Sequence, residues 1–245
     1  MIPRRLRTAR KGIPQGFGAV DPRTATRVPL GHELSGAVPV FEGDPAFRHH
    51  VWTTIAESGF AVEQITSLGT HLGTHLDAPS HFVEGAADLA GLDESWTLMP
   101  LCVVDARDRG PDYWVSVPRL RSWERRYGRI PVGALFVLRT GLSACYLDDP
   151  GRYAARAPGF GPETVEWLFT ARRVRAVGSD TLGPDLVQDQ DYRSTRAALR
   201  NGGVVLANLG PGLERMRPHG DWVAVNGPRP AFSGFPVGVT GFTVP

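Results

Sequence analysis

Three of the chain's seven histidines lie within eleven residues, together with an aspartate, in the segment GTHLGTHLDAPSHF (residues 69–82). The four side chains share one sequence parity and would point to the same side of an extended chain: His71, His75, Asp77 and His81. Imidazoles and carboxylates are common ligands of Zn²⁺, Mn²⁺ and Fe²⁺. The segment therefore predicts a site for a divalent metal ion.

A straight strand cannot bring all of these side chains to one ion. At about 3.3 Å per residue, His75 and Asp77 would lie about 7 Å apart at Cα, and His71 about 13 Å from His75. Metal–ligand bonds are only about 2.1 Å long, so the chain must turn between the two histidines, and Gly73 permits such a turn. We expect a bent loop or strand–turn in which His71, His75 and Asp77 hold the metal.

Two imidazoles and one carboxylate leave a coordination position open, which is typical of a catalytic metal site. A bound Zn²⁺ can lower the pKa of water to about 7 and so supply hydroxide near neutral pH. His81 can move the proton of that water or join the ligands. The alternative is that these are ordinary hydrogen-bonded histidines, in which case their spacing with Asp77 is coincidental.

The elements that would position this segment are short strands and a few helices. Runs rich in Val, Leu and Ile predict strands at residues 61–67, 101–106, 134–138, 175–177, 204–206, 222–225 and 235–239. Helices are predicted at residues 118–127 and 162–171, which both begin with proline, and at residues 191–199. This mixture fits neither an all-β sandwich nor a regular βαβ series, and it predicts one mixed α/β domain over residues 21–245.

The composition is that of a globular protein, with 42% hydrophobic residues, 21% charged residues and a net charge of +2. The basic start MIPRRLRTARKG predicts a flexible arm over residues 1–20, without the apolar core of a secretory signal. No basic stripe for nucleic acid continues into the body, and no apolar run reaches the roughly 18 residues of a membrane span. Two cysteines form no disulfide framework. We expect a cytoplasmic protein that binds neither nucleic acid nor membrane.

The pattern H-x-G-T-H-x-D-x-P-x-H, which runs from His71 to His81, resembles the signature of the cyclase family of metal-dependent hydrolases. That family includes bacterial kynurenine formamidase and isatin hydrolase. Further stretches of the chain are also similar to family segments: residues 28–47, 129–141, 158–168 and 176–185. The resemblance covers residues 28–243.

This resemblance implies a swivelling β/β/α fold, a single domain with a mixed β-sheet or barrel and a few helices, assembled as a homodimer or homotetramer. It implies hydrolysis of an amide or ester bond in a cyclic or aryl small molecule. One divalent ion, Zn²⁺ or Mn²⁺, would be bound by His71, His75 and Asp77. His81 matches a second-metal ligand or a proton shuttle, and Asp180 matches a loop near the pocket; we predict that both take part in catalysis.

The chain departs from the family pattern at two expected ligands of a second metal. Thr195 and Ala207 stand where many members have His and Glu, and neither side chain can replace an imidazole or a carboxylate. The departure predicts a site for one metal. It also leaves two alternatives open, a metal-dependent cyclase, dehydratase or isomerase and a non-catalytic metal-binding homologue.

Several other side chains have two interpretations each. Three aromatic residues fit either an apolar pocket wall or the core: Phe41, Phe47 and Trp52. Three acidic residues predict a solvated loop or a cover over the pocket mouth: Asp185, Asp189 and Asp191. His32 is a candidate for the pocket, and Arg139 is expected to pair with an acid.

Overall fold

The structure is a computed structural model that describes residues 14–21 and 23–244. The strands of these residues are β1 (Thr26–Pro29), β2 (Arg48–Thr53), β3 (Val62–Ser67), β4 (His75–Asp77), β5 (Leu98–Asp105), β6 (Trp114–Val115), β7 (Leu135–Arg139), β8 (Gly159–Phe160), β9 (Ala176–Ser179), β10 (Val204–Ala207), β11 (Asp221–Asn226), β12 (Gly234–Pro236) and β13 (Gly238–Thr243). The α-helices are α1 (Ile55–Ser58), α2 (Val117–Tyr127), α3 (Pro150–Ala155), α4 (Pro162–Trp167) and α5 (Arg193–Arg200).

Nine strands form one curled, mixed sheet in the order β1-β13-β11-β5-β7-β9-β10-β4-β12. Its centre is parallel, from β5 through β7 and β9 to β10, whereas the neighbours on both sides pair in the antiparallel sense. The parallel strands read as continuous apolar runs because both of their faces are covered. The short strand β4, which carries two of the predicted ligands, is held between β10 and β12.

Two apolar clusters lie on opposite faces of this sheet because successive side chains of a strand alternate in direction. In β7, Leu135 and Val137 belong to one cluster, and Phe136 and Leu138 belong to the other. The second cluster also contains side chains of α2, α4 and α5, so helices cover that face. Buried apolar area is the main stabilising term in such a fold.

The predicted elements are confirmed, with shifted ends. Helix α2 begins at a proline-containing first turn and ends at Gly128, whose N–H donates to the Glu124 carbonyl over 2.9 Å. Helix α4 continues as a π turn over Leu168–Arg172, and α5 begins two residues later than predicted. The strand predicted at residues 235–239 is divided, because Gly234–Pro236 pairs with β4 whereas the chain from Gly238 onward pairs with β11.

Arg139, at the end of β7, forms the expected ion pair. Its Nη2 donates to Asp105 Oδ2, at the end of β5, over 2.8 Å. Its Nη1 donates to the carbonyls of Leu213 and Met216. The side chain therefore ties two parallel strand ends to the segment that follows β10.

Strands β2 and β3, with α1 between them, form a hairpin over residues 48–67 that stands apart from the main sheet. We call it the β2–β3 hairpin. Its large apolar side chains are between 54% and 73% exposed: Val51, Trp52, Ile55, Phe60 and Ile65. The core interpretation is therefore wrong for Trp52 and for Phe41, which is also exposed, and their place in a pocket wall stays a prediction. Phe47 packs against a small buried cluster that contains Leu72 and Tyr146.

The flexible arm was predicted over residues 1–20, of which residues 1–13 lie outside the described part. For residues 14–20 the structure differs from the prediction. Phe17 is buried and meets the rings of His219 and Trp222 edge-on, with centroids 4.6 and 5.7 Å away. Trp222 Nε1 also donates to the Gly18 carbonyl over 2.9 Å. The packed chain thus begins before residue 21.

None of the helices in the described ranges has the length and apolar character that a membrane span requires.

Candidate metal site

The turn that joins β3 to β4 brings the predicted ligands together. Gly73 adopts a left-handed conformation with a φ of +66°, which glycine accepts without strain. After this turn, the His75 Nε2 atom lies 3.2 Å from Asp77 Oδ1, and His71 Nε2 lies 3.7 Å from the same oxygen. The predicted turn at Gly73 is confirmed, and it places both imidazoles around one carboxylate.

A short 3₁₀ helix, Pro79–His81, folds the fourth side chain into the same group. The His81 ring stacks on that of His71, with centroids 4.0 Å apart and planes 26° from parallel. Ligand atoms of His71, Asp77 and His81 all lie within 4.8 Å of one another. The structure therefore gathers His81 as a possible ligand as well as a possible proton carrier.

Two buried atoms at the centre of this group, His71 Nε2 and Asp77 Oδ1, have no hydrogen-bond partner. His75 Nε2 approaches this oxygen to 3.2 Å but lacks the alignment of a hydrogen bond. Leaving a buried polar atom unsatisfied costs about 1–3 kcal/mol. A cation between these atoms would satisfy both, and imidazole nitrogen with carboxylate oxygen suits a divalent metal.

Burial and charge set the protonation of the group. Burial lowers the pKa of His71 to about 4, so its imidazole is neutral at neutral pH. Burial also works against the charged forms of His75 and Asp77, but their mutual attraction outweighs it, raising the pKa of His75 and lowering that of Asp77. Asp77 is therefore a carboxylate at neutral pH, the form in which it can bind a metal.

Close packing fixes the His71 ring. Its Nδ1 lies 3.0 Å from the Thr70 hydroxyl. On the other side, Gly234 of β12 approaches so closely that a Cβ there would collide with the His71 ring. Gly234 pairs with Asp77 in the sheet. Because residue 234 has no side chain, β12 can lie beside Asp77 and still leave room for the His71 ring.

Two further buried polar atoms without a hydrogen-bond partner, His32 Nε2 and the Tyr146 hydroxyl, lie beside the same turn. The two rings stack with centroids 3.9 Å apart. Burial lowers the pKa of His32 to about 4 and raises that of Tyr146, so both are neutral at neutral pH. His32 was a candidate from its sequence position, whereas nothing in the sequence around Tyr146 indicated this place.

Asp180, which was predicted to take part in catalysis, directly follows β9 and is fully buried. Its Oδ1 accepts hydrogen bonds from the backbone N–H (2.7 Å) and the hydroxyl (2.9 Å) of Thr140, and its Oδ2 accepts one from the Gly141 N–H (2.8 Å). Burial raises the pKa of this carboxyl, although these hydrogen bonds oppose the rise. Asp180 therefore fastens the turn after β7, and its part in catalysis stays a prediction.

The two positions that depart from the family pattern supply no ligand. Ala207 pairs with His75 between β10 and β4, so a methyl group lies beside the cluster of His71, His75, Asp77 and His81, which we call the metal group. The Thr195 hydroxyl donates to Asp185 Oδ2 over 2.5 Å. Asp185 also accepts from the Ser194 N–H over 2.6 Å at the start of α5, so it is buried and the solvated loop predicted there is wrong for this residue.

Comparison with known proteins agrees with this geometry. The sequence model of the cyclase family matches residues 28–186. Kynurenine formamidase of Bordetella petrii is 31% identical over 180 residues, which cover 72% of this chain and 78% of the relative. Isatin hydrolase of Roseibium aggregatum is 31% identical over 136 residues, which cover 49% of this chain and only 50% of the relative.

Solved structures resemble the whole fold. An isatin hydrolase bound to the product analogue thioisatinate has a TM-score of 0.84 at 21% identity, covering 91% of this chain and 94% of the other. Isatin hydrolase A from Ralstonia solanacearum has a TM-score of 0.80 at 24% identity, covering 90% and 92%. At such identities the likeness shows the fold, and the predicted cyclase-like mixed α/β domain is confirmed.

Proposed function

The chain belongs to the cyclase family, and we propose that it is a metal-dependent hydrolase that opens an amide or ester bond in a cyclic or aryl small molecule. One observation carries this proposal: His71, Asp77 and His81 converge with ligand atoms within 4.8 Å of one another, around two buried atoms that lack a partner. The relatives named kynurenine formamidase and isatin hydrolase support an aryl amide as the substrate class.

We assign His71, His75 and Asp77 as the ligands of one divalent ion, Zn²⁺ or Mn²⁺, with His81 beside them. When bound, such an ion would polarise a carbonyl group and lower the pKa of water to about 7. The methyl group of Ala207 beside His75 and the engaged hydroxyl of Thr195 support a single ion. We assign proton transfer to the side chains of the protein itself.

His81 is the side chain placed to move protons. It lies at the end of its 3₁₀ helix, half-buried, and its stacking on His71 keeps it within the group. A ring nitrogen of His81 can accept the proton of the attacking water and deliver it to the leaving nitrogen or oxygen. Asp77 stays ionised throughout, because the two adjacent histidines lower its pKa against the opposing effect of burial.

The test combines metal removal with product mass. Protein treated with a chelator, then given back Zn²⁺ or Mn²⁺, is assayed on aryl formamides, cyclic aryl amides and aryl esters. We expect turnover to disappear with the metal and return with it. A cyclic amide should give one ring-opened product heavier by one water molecule, and a formamide or ester should give two fragments whose summed mass exceeds that of the substrate by one water molecule. Full activity without a bound divalent ion refutes the proposal. An unchanged product mass identifies an isomerase, a product lighter by one water molecule identifies a cyclase or dehydratase, and stoichiometric metal without turnover identifies a non-catalytic homologue.

The β2–β3 hairpin supports a homo-oligomer, which we propose to be a dimer at least. Its exposed apolar side chains form a surface of the kind that marks protein–protein contacts. In the loop before the hairpin, Asp44 lies close enough for its charge to act on His71 and His75. A second copy seated on the hairpin would therefore lie near the metal group. Light scattering that gives a monomer mass at all concentrations would exclude this assembly.

A reducing, cytoplasmic setting is also part of the proposal. Both cysteines, Cys102 and Cys145, are free, and Cys102 is fully buried in the sheet. Burial raises the pKa of the Cys102 thiol, which keeps it protonated and unreactive.

A further inference from the structure

One ring nitrogen of His75 is committed to the main chain. Its Nδ1 lies 2.8 Å from the Gly73 carbonyl oxygen, two residues upstream. A carbonyl can only accept, so Nδ1 must carry the hydrogen, and the neutral ring presents Nε2 with a free lone pair. That Nε2 is the atom 3.2 Å from Asp77. The Gly73 carbonyl therefore selects the tautomer that a metal ligand needs.

The same carbonyl accepts a second hydrogen bond. Asn208, directly after β10, donates from Nδ2 to the Gly73 oxygen over 2.8 Å. A carbonyl oxygen has two lone pairs, and here both are used. The direction of the carbonyl is thus fixed from two sides, by the ring of His75 and by the amide of Asn208.

A buried hydroxyl in turn fixes the amide. Tyr153, in α3, donates to Asn208 Oδ1 over 2.6 Å. The Asn208 amide has one possible orientation. The Gly73 carbonyl can only accept, so it must face the amide nitrogen, and the Tyr153 hydroxyl then faces the amide oxygen. Tyr153 is fully buried and Asn208 nearly so, which keeps water from competing for these hydrogen bonds.

The backbone of Asn208 is fixed as well. Its φ is +56°, in the left-handed region that asparagine tolerates better than most residues. Its N–H donates to the Thr181 carbonyl over 2.8 Å, and its carbonyl accepts from the Thr74 hydroxyl over 2.6 Å. The amide therefore sits on a rigid support that spans three separate parts of the chain.

We infer that Asn208 and Tyr153 are positioning residues, which act through the Gly73 carbonyl to hold His75 as a ligand of the divalent ion. Partners of metal ligands outside the coordination sphere typically contribute about 10–100-fold to metal affinity. This inference rests on the proposed function, because it presupposes that the group binds a divalent ion.

Two variants test it by calorimetric titration of the metal-free protein with Mn²⁺. Asn208→Gly removes the amide and keeps the left-handed backbone, and we expect the affinity for Mn²⁺ to fall by about 10–100-fold. Tyr153→Phe removes one hydroxyl, and we expect a smaller loss in the same direction. The visible spectrum of the Co²⁺-loaded protein should shift in both variants, because the His75 ring is no longer held in one orientation.

The matched control is Val223→Ala, a truncation in the buried part of β11. We expect it to lower the melting temperature and to leave Mn²⁺ affinity unchanged. Wild-type affinity in folded Asn208→Gly overturns the inference, as does an equal loss of affinity in Val223→Ala. Should Asn208→Gly fail to fold, Tyr153→Phe decides, and wild-type affinity there overturns the inference. If the wild-type protein binds neither Mn²⁺ nor Zn²⁺, the proposed function itself fails.

Discussion

The β2–β3 hairpin and the metal group are neighbours in the sequence but opposites in their surroundings. In the hairpin, large apolar side chains such as Trp52 and Ile55 are 73% and 70% exposed. In the metal group, His75 and Asp77 are almost completely buried between β10 and β12. The hairpin has apolar surface that no other element of the described ranges covers. The metal group has buried polar atoms without a hydrogen-bond partner among the described residues.

The difference shows that the chemical nature of the unsatisfied atoms indicates what each region would bind. Buried nitrogen and oxygen atoms cannot be satisfied by hydrocarbon, so the metal group calls for a cation. Exposed apolar side chains gain nothing from a cation, but they gain about 25 cal/mol per Å² when another protein surface covers them. The following substitutions and measurements test metal binding and self-association separately.

The largest effect is expected from His75→Ala. It removes an imidazole from a buried group, and the methyl group of alanine cannot bind a cation. We expect loss of the bound ion and a fall in turnover on the order of 10³-fold or more, measured by elemental analysis and steady-state kinetics. The matched histidine control is His219→Gln, far along the chain beside Phe17. It should keep bound metal, and equal losses in both variants would contradict the assignment.

A charge in the hairpin should separate the copies. Ile55→Asp places a carboxylate on the exposed apolar surface, where a second copy would have to bury it. We expect the dimer to weaken about 30-fold or more, seen as a fall in mass by sedimentation. Metal content per chain should stay unchanged. A mass equal to that of the wild type would show that the hairpin is not the interface.

A matched pair of glycines compares the two regions directly. Gly73 and Gly59, of the metal turn and the hairpin, are both left-handed, with φ of +66° and +79°. Neither Gly73→Ala nor Gly59→Ala meets a close steric contact, so each should cost about 1–2 kcal/mol of backbone strain. Only Gly73→Ala should also weaken metal binding, measured by titration beside urea unfolding. Equal metal affinity in both variants would show that the turn is not what gathers the ligands.

The last expected effect is a pH dependence of stability carried by His32. Burial lowers its pKa from 6.5 to about 4. Between these two values the unfolded chain binds more protons than the folded one, so the free energy of unfolding falls as the pH is lowered through this window. Urea unfolding in a chelator at several pH values should show a shallower slope for His32→Gln than for the wild type. Identical slopes would contradict this explanation.

The sequence predicted what depends on neighbouring residues. The parity of His71, His75 and Asp77 and the place of Gly73 are local features, so the turn and the convergence of the side chains were expected correctly. Strands and proline-initiated helices were predicted for the same reason. Which side chains bind the ion remains a prediction.

Features decided by distant parts of the chain could not be predicted in this way. The oxygens of Asp180 accept hydrogen bonds from the N–H groups of Thr140 and Gly141, forty residues earlier, and its part in catalysis stays a prediction. Trp52 was expected in a pocket or the core, yet nothing in its local sequence says whether another element covers it. Asn208 contacts Gly73, and Tyr153 contacts Asn208, only in the folded protein, so their spacing in the sequence carries no signal.

The pairing of β12 with β4 has a consequence for how the protein is made. The ligands lie in the first third of the chain, but Gly234, which walls the His71 ring, lies far later in the sequence. A ribosome translates the chain from its N-terminus, so a nascent chain that already displays every ligand still lacks one wall of the site. Under the proposed function, metal loading would follow the synthesis of β12, and a nonsense mutation between β11 and β12 would leave the proposed ligands intact yet the site unfinished.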